Sequence, residues 1–384
     1  MHENLQVLAD QLAADLGRSV LIEDLSRLLA ASALLGVVDQ SRKDSILMRR
    51  PDDSVKPLHR RHRIDDAREP VLVAADEELG TLARWCIPLR TDVLHGFIWL
   101  IDEPPLSPDE LEHARSAGAR ALEVLTRRRQ HEARTGRLLD ELLTAEEPAR
   151  QEAAAALLEH GPLADDPPFT LTVVRAGRGD DLAAGDLESV GARLRERMPP
   201  AAMVSAVGDG HLVAVLTTTG TANSGASVEG TLADALRDGT PNLVVGTGAP
   251  APTLAAVPEQ LANARYAALV AASAPEFGGG AAWEQLGSWT LLQHVDHTEA
   301  GVERLCRGAG VLLDPRNEMY RETIETYLGT CGDARETALR LHIHRTTLYW
   351  RLNRAEQLLG RSLGDANVRI DLQLALRLGA LLPR

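Results

Sequence analysis

Between Thr337 and Ala355 the chain holds four arginines, two histidines and no carboxylate, although acids outnumber bases 55 to 41 overall. A surface that meets phosphates needs such local exclusion of negative charge. The apolar residues of the same stretch predict how those cations are presented. Ala334, Ala338 and Leu341 are spaced four and three apart, which is one face of a helix. After a three-residue turn plugged by Ile343, the spacing repeats at Leu348, Leu352 and Ala355. Two short helices joined by a tight turn are the layout of a helix-turn-helix, whose second helix enters the major groove of DNA. On that helix His344, Arg345, Thr347, Tyr349, Trp350, Arg351 and Arg354 are left free to face a ligand.

The side-chain types suggest separate tasks. A guanidinium bonds bidentately to a phosphate or to the guanine edge, so Arg345 and Arg351 are the expected phosphate or base readers. Arg354, one turn further on, is expected to clamp the backbone. His344, Thr347, Tyr349 and Trp350 would add base-edge, methyl or backbone contacts. The competing expectation for Trp350 is burial against a neighbouring domain.

The run from Ile343 to Leu352 resembles the recognition segment of the PucR/CdaR class of bacterial regulators, whose C-terminal domain is similar to the Fis-type helix-turn-helix. Thr323 to Leu328 with Gly332 resembles the helix that buttresses this motif, and Glu356 to Leu378 resembles its closing helices. About seventy residues carry the likeness. One departure is His342, which stands where a glycine often makes the turn and predicts a slightly different turn conformation.

Net charge is −14, which repels a polyanion at long range. Its distribution answers the objection. Residues 315–384 carry eleven arginines and eight acids, a balance of +3, leaving −17 on residues 1–314. A basic module can therefore dock while the acidic remainder stays clear. With 384 residues, 44% hydrophobic and 25% charged, the chain has the size of two to four globular domains. Cys86, Cys306 and Cys331 form no C-x-x-C pair and are expected to be reduced core thiols of a cytoplasmic protein. The N-terminus has early acids and reads as an amphipathic helix. The longest apolar run, Leu28 to Val38, is too short for a bilayer, so no membrane partner is expected.

Residues 1–105 alternate helix and strand patterns: a helix around Leu5 to Leu16, then strands at Val20–Glu23, Leu34–Asp39, Val71–Ala74, Ala83–Leu89 and Gly96–Asp102. The last two strands with their turn resemble the closing hairpin of GAF sensor domains. Residues 106–160 read as connector helices, opened by Ser107 as N-cap and Pro108 at the first position, and offering a dimer interface. Their centre, Arg127 to Glu132, is polar all round, which suits one continuous connector; two separate surface helices are the alternative.

Residues 165–295 run strand, helix, hairpin, helix, strand: Phe169–Val174, Leu187–Met198, Met203–Leu216, Leu232–Leu236 and Leu243–Gly246. This order resembles the GGDEF-like domain of the same regulator class. Thr217 to Ser227 reads as a surface loop. A working diguanylate cyclase needs metal-binding carboxylates beside a glycine-lined turn. Here the turn, Gly208-Asp209-Gly210-His211-Leu212, holds a single acid, and Phe169–Val174 has no aspartate to share a metal. The domain is read as degenerate, with no catalytic residue, metal or cofactor. Gly246-Thr247-Gly248-Ala249 reads as a turn, since no phosphate-loop motif follows. His59-x-x-His62 and His294-x-x-His297 lack a third ligand set.

The fold expected is multidomain α+β: a GAF-like α/β sensor, a connector helix, a degenerate nucleotide-cyclase-like α/β domain, and an all-α Fis-like helix-turn-helix domain at 300–384. The function expected is an effector-controlled, sequence-specific transcriptional regulator, homodimeric or larger, whose partner is double-stranded DNA. Trp85, Cys86 and Trp99 lie on adjacent predicted strands and are the candidate lining of an effector pocket, with plain core residues as the competing reading. The alternative function is a nucleotide-binding or cyclic-dinucleotide enzyme acting through the middle domain.

Overall fold

The computed structural model describes residues 4–24, 28–32, 36–48, 56–161, 163–179, 182–198, 202–217 and 242–382. They divide into two compact units, residues 1–135 and 136–384.

In the first unit, Asn4 caps α1 (Leu5–Leu16), accepting from the Gln6 amide, and Gly17 ends it in the left-handed conformation. Five strands follow: β1 (Val20–Glu23), β2 (Leu28–Ala31), β3 (Val71–Val73), β4 (Arg84–Arg90) and β5 (Leu94–Ile101). They form an antiparallel sheet in the order β2-β1-β5-β4-β3. Of the predicted strand at Leu34–Asp39, residues 36–39 lie outside any strand and the first two fall outside the described residues; β2 uses the preceding apolar residues instead. An uninterrupted apolar run leaves strand register open until a partner edge selects it. The charged segment that follows folds as α2 (Gln40–Met48) and α3 (Lys56–Arg61).

Successive strand residues face opposite sides of the sheet. Val20, Ile22, Ile87, Leu89, Ile98 and Leu100 face α1 and the long helix α4 (Pro108–Thr144). Leu21, Cys86, Phe97 and Trp99 face the other side, with Leu58 and Ile64. Helix α4 begins as the sequence predicts: the Ser107 hydroxyl accepts from the Glu110 amide and the Glu110 carboxylate accepts from the Ser107 amide. It runs unbroken for 37 residues. Its middle is held by i,i+4 ion pairs, Glu123 with Arg127 and Arg128 with Glu132, and Gln130, His131 and Arg134 are exposed.

The second unit takes in the carboxyl end of α4 and then α5 (Ala149–His160). Its sheet comprises β6 (Phe169–Ala176), β7 (Met203–Gly208), β8 (His211–Thr217), β9 (Leu243–Thr247) and β10 (Gly280–Ala282), in the order β10-β9-β6-β8-β7. Only the β10–β9 pairing is parallel. Helix α6 (Ala184–Arg197) covers one face through Leu187, Val190 and Leu194. Leu139 and Leu142 of α4, Leu157 of α5, and Ala264 and Ala268 of α7 (Leu261–Ser273) cover the other. The predicted helix at Leu232–Leu236 and the loop beyond Thr217 lie outside the described residues.

Gly246 and Gly248 make no turn. Gly246 lies within β9, where a Cβ would meet the Ala268 nitrogen at 2.1 Å and the Ala264 carbonyl at 2.3 Å. The glycine lets strand and helix backbones touch, which is why its local sequence looks like a loop.

The C-terminal helices are α8 (Glu299–Leu305), α9 (Glu318–Gly329), α10 (Ala334–Arg340), α11 (Arg345–Leu359) and α12 (Ala366–Leu381). Their core includes Ile324, Leu348, Ala355, Leu372, Ala375 and Leu378, and it is continuous with Tyr266, Ala267 and Val270 of α7. Among the described residues no helix is long and apolar enough to cross a membrane.

Candidate nucleic-acid interface

The candidate interface lies on α10 and α11. Asp333 caps α10, accepting from the Arg335 and Glu336 amides at 2.8 and 3.0 Å, which holds its carboxyl below the usual range. Ala338 is buried, with Ala334 and Leu341 half-buried against the same core. Thr337, which carried no apolar signal, is fully buried: its hydroxyl donates to the Asp333 carbonyl at 2.6 Å and lies 2.7 Å from the Thr330 hydroxyl.

The turn corrects one expectation. His342 takes the glycine conformation itself, with φ +50°. The His342 amide donates to Leu339 and the Ile343 amide to Ala338, at 3.1 and 3.0 Å, which is the Schellman arrangement of helix ends. The preceding helix ends the same way at Cys331, φ +53°, with the Gly332 amide on Tyr327 and the Cys331 amide on Leu328. Cys331 is exposed, unlike the buried Cys86 and Cys306, and the expectation of three core thiols fails there.

Leu348, Leu352, Ala355 and Leu359 seal α11 to the domain. Thr346, Trp350, Asn353 and Gln357, four, three and four residues apart, line its opposite, exposed face. Thr346 and Asn353 carry no charge or ring to mark them by type; their spacing against the leucines is the signal that places them on this face.

The seven candidate residues divide in their placement. Arg345, Thr347 and Arg354 are exposed. Tyr349 and Trp350 are 53% and 60% exposed, so Trp350 is not buried against a neighbouring domain. The Trp350 ring lies 6.2 Å from that of Tyr320. Arg351 is half-buried, and its Nη1 reaches back to the Thr323 hydroxyl at 3.5 Å. His344 is the N-cap: its Nδ1 accepts weakly from the Thr346 amide at 3.4 Å and lies 2.9 Å from the Thr346 hydroxyl. No acid stands in the first turn of α11. Its amino end therefore adds the positive pole of a 15-residue helix to the charge of Arg345.

The model of the PucR C-terminal helix-turn-helix domain matches residues 320–378. The chain carries a PucR-type helix-turn-helix domain. A GGDEF-like domain model matches residues 144–270, as the strand order anticipated. The Purine catabolism regulatory protein of Bacillus subtilis (strain 168) is 45% identical over 60 residues, which are 16% of this chain and 11% of that protein. A solved structure, the regulator of polyketide synthase expression from Bifidobacterium adolescentis, is 18% identical with a TM-score of 0.27, covering 64% of this chain and 91% of that one.

In the GGDEF-like domain, Asp209 and Gly210 both have positive φ and close a two-residue hairpin turn. Asp209 is exposed, 3.8 Å from Arg265. On the neighbouring strand the hydroxyl of the buried Thr172 has no hydrogen-bond partner among the described residues. Among the described residues no group of three or more His, Cys, Asp or Glu is placed to hold a metal.

The pleat separates the candidate effector residues. Cys86 and Trp99 are cross-strand neighbours on one face, whereas Trp85 pairs with Leu100 on the other, its indole donating to Asp102 at 3.2 Å. Adjacent residues of one strand cannot line one pocket, so Trp85 leaves the set. Around Trp99 the sequence reading missed a polar cluster. The Trp99 indole donates to Glu23 at 2.6 Å, His59 stacks on it at 4.9 Å, and the Arg42 guanidinium donates to its carbonyl at 3.2 Å. Asp39 and Arg84 form a buried ion pair beside it. Burial pushes the Glu23 carboxyl up to about 7 and brings Arg42 down to about 10. The Cys86 thiol is also pushed well up by burial, which leaves it unreactive.

Proposed function

We propose that the protein is a DNA-binding transcriptional regulator that uses α11 as its recognition helix. The observation that carries this reading is the two-sidedness of α11. One face is fully packed; the other is open, free of carboxylates up to Ala355, and rich in aromatic, hydroxyl, amide and guanidinium groups. Its acid-free amino end is suited to a phosphate, Arg345 and Asn353 to base edges, and Arg354 to the backbone. Two recognition helices reading half-sites about 34 Å apart require a dimer, and the polar middle of α4 is a surface on which two chains can pair. The N-terminal unit is read as the sensor, with the Trp99 side of its sheet, including Cys86, as the effector face.

The GGDEF-like domain is read as a non-enzymatic element, since its hairpin turn carries one exposed acid and β6 carries no aspartate to share a metal. Incubation of the full chain with GTP and magnesium is expected to yield no cyclic dinucleotide; turnover would overturn this part. The DNA reading is tested by retardation of the protein's own promoter region at low salt. Failure of the full chain to retard it would refute the reading.

A further inference from the structure

A cavity of about 440 Å3 lies where the GGDEF-like domain meets the helix-turn-helix domain. Its size is within the roughly 300–1,000 Å3 of small-molecule sites. The walls come from three helices and one connecting segment. The carboxyl end of α7 contributes Ser273 and Ala274, followed by Glu276; α9 contributes Arg321 and Glu325; α12 contributes Gln373, Leu376 and Arg377; and Trp289 comes from the segment between.

The chemistry of this lining is balanced. Arg321 and Arg377 offer guanidinium donors, and Glu276 and Glu325 offer carboxylate acceptors. Arg321 and Glu325 sit one helical turn apart, 4.0 Å from each other, and Arg321 is largely shielded from solvent. The Arg377 guanidinium is fixed 5.1 Å over the buried Trp289 ring and donates to the Ser288 hydroxyl. The carboxyl ends of α7 and α9 add partial negative charge on their side. An anion alone would face two carboxylates, and a cation alone two guanidiniums. A molecule with one group of each sign meets both pairs, and Trp289 and Leu376 supply an apolar wall for the rest of it.

We propose that this cavity binds an amino-acid zwitterion with an apolar side chain, its carboxylate on Arg321 and Arg377 and its ammonium on Glu325 and Glu276. Binding would tie together the two domains that form the walls. They already share a continuous apolar core, and Arg178 of the GGDEF-like domain donates to the carbonyls of Ala380 and Leu382 at the end of α12. A ligand in the cavity therefore sets how firmly the helix-turn-helix is held. That regulatory consequence rests on the DNA-binding reading, whereas occupancy of the cavity does not.

The test is calorimetry of the full chain with each proteinogenic L-amino acid in turn, at millimolar concentration and without DNA. At least one with an apolar side chain is expected to bind saturably. Arg377→Gln and Glu325→Gln are each expected to weaken it about tenfold or more. Should a variant fail to fold, the wild-type chain still decides: the N-acetyl and carboxamide derivatives of the same amino acid must each lose binding. Absence of binding by every amino acid, retention of affinity by folded variants or by the blocked derivatives, or binding of succinate or putrescine alone overturns the proposal. A chain that binds an amino acid but retards no DNA refutes the regulator reading and leaves this site standing.

Discussion

The Trp99 indole donates to the Glu23 carboxyl at 2.6 Å across the β1–β5 pairing, inside the first unit and beside the buried guanidinium of Arg42. Desolvation dominates the carboxyl, with the Trp99 hydrogen bond and the Arg42 charge opposing it only in part. Its folded-state value of about 7 stands above the ordinary 4.5.

This difference sets a direction for stability against pH. Between pH 4.5 and 7 the folded chain holds a proton on Glu23 that the unfolded chain has released. Stability from this group is therefore full below 4.5, falls as pH rises to 7, and levels off above it. Glu23→Gln removes the charge and keeps an acceptor for Trp99. The variant should match the parent in urea at pH 4 and exceed it by about 1–3 kcal/mol at pH 8. Equal stability at both pH values would show that Glu23 is not desolvated.

His342 occupies a left-handed turn position that glycine adopts without strain. It is exposed, and its amide already makes the Schellman bond to Leu339, so a glycine keeps every contact of the turn. His342→Gly should stabilise the C-terminal domain by about 0.5–1 kcal/mol, relief of strain exceeding the added freedom of the unfolded chain. Hydrogen exchange of the α10 and α11 amides is the measurement; faster exchange in the variant would mean the imidazole has a contact of its own.

Gly246→Ala should destabilise the second unit by about 3 kcal/mol, since the new methyl would overlap backbone atoms of α7 and no side chain can move aside. Chemical denaturation followed by circular dichroism reports it. A neutral effect would place β9 farther from α7 than the structure has it.

Much of this architecture was legible because periodicity and caps agree. Val20–Glu23 is a strand to the residue, Ser107 and Pro108 open α4, and Leu348, Leu352 and Ala355 are all buried. What sequence does not convey shares a cause: side-chain type does not report the backbone that carries it. Trp85 and Cys86 are neighbours in sequence and strangers in space because the strand alternates faces. Gly246 looks like a turn because the helix that requires it is distant in sequence. Arg351 leans on Thr323 and the exposed His344 caps α11, contacts that residue type alone does not announce. The Glu23, Arg42 and Asp39 cluster carries no local signature, since each of its members is an ordinary charged residue until the fold gathers them.

The division between Arg345 and Arg351 makes the sharpest prediction about the recognition helix. Arg345 is exposed at the first position of α11, whereas Arg351 is half-buried against α9. Arg345→Ala should cost roughly 1–3 kcal/mol of affinity for a specific site if the guanidinium reads a base, and should relax the sequence preference at that position. Were it a phosphate contact instead, affinity would fall evenly across sequences, and the slope of log affinity against log salt would shrink by about one. Arg351→Ala should weaken DNA binding less than Arg345→Ala and lower the melting temperature of the unbound chain, because its guanidinium reaches the Thr323 hydroxyl of its own domain. Fluorescence anisotropy on a labelled operator across a salt series separates the two. If Arg351→Ala removes more affinity than Arg345→Ala while leaving stability untouched, the groove-facing side of α11 is the Thr347–Arg351 flank, and the assignment of Arg345 is wrong.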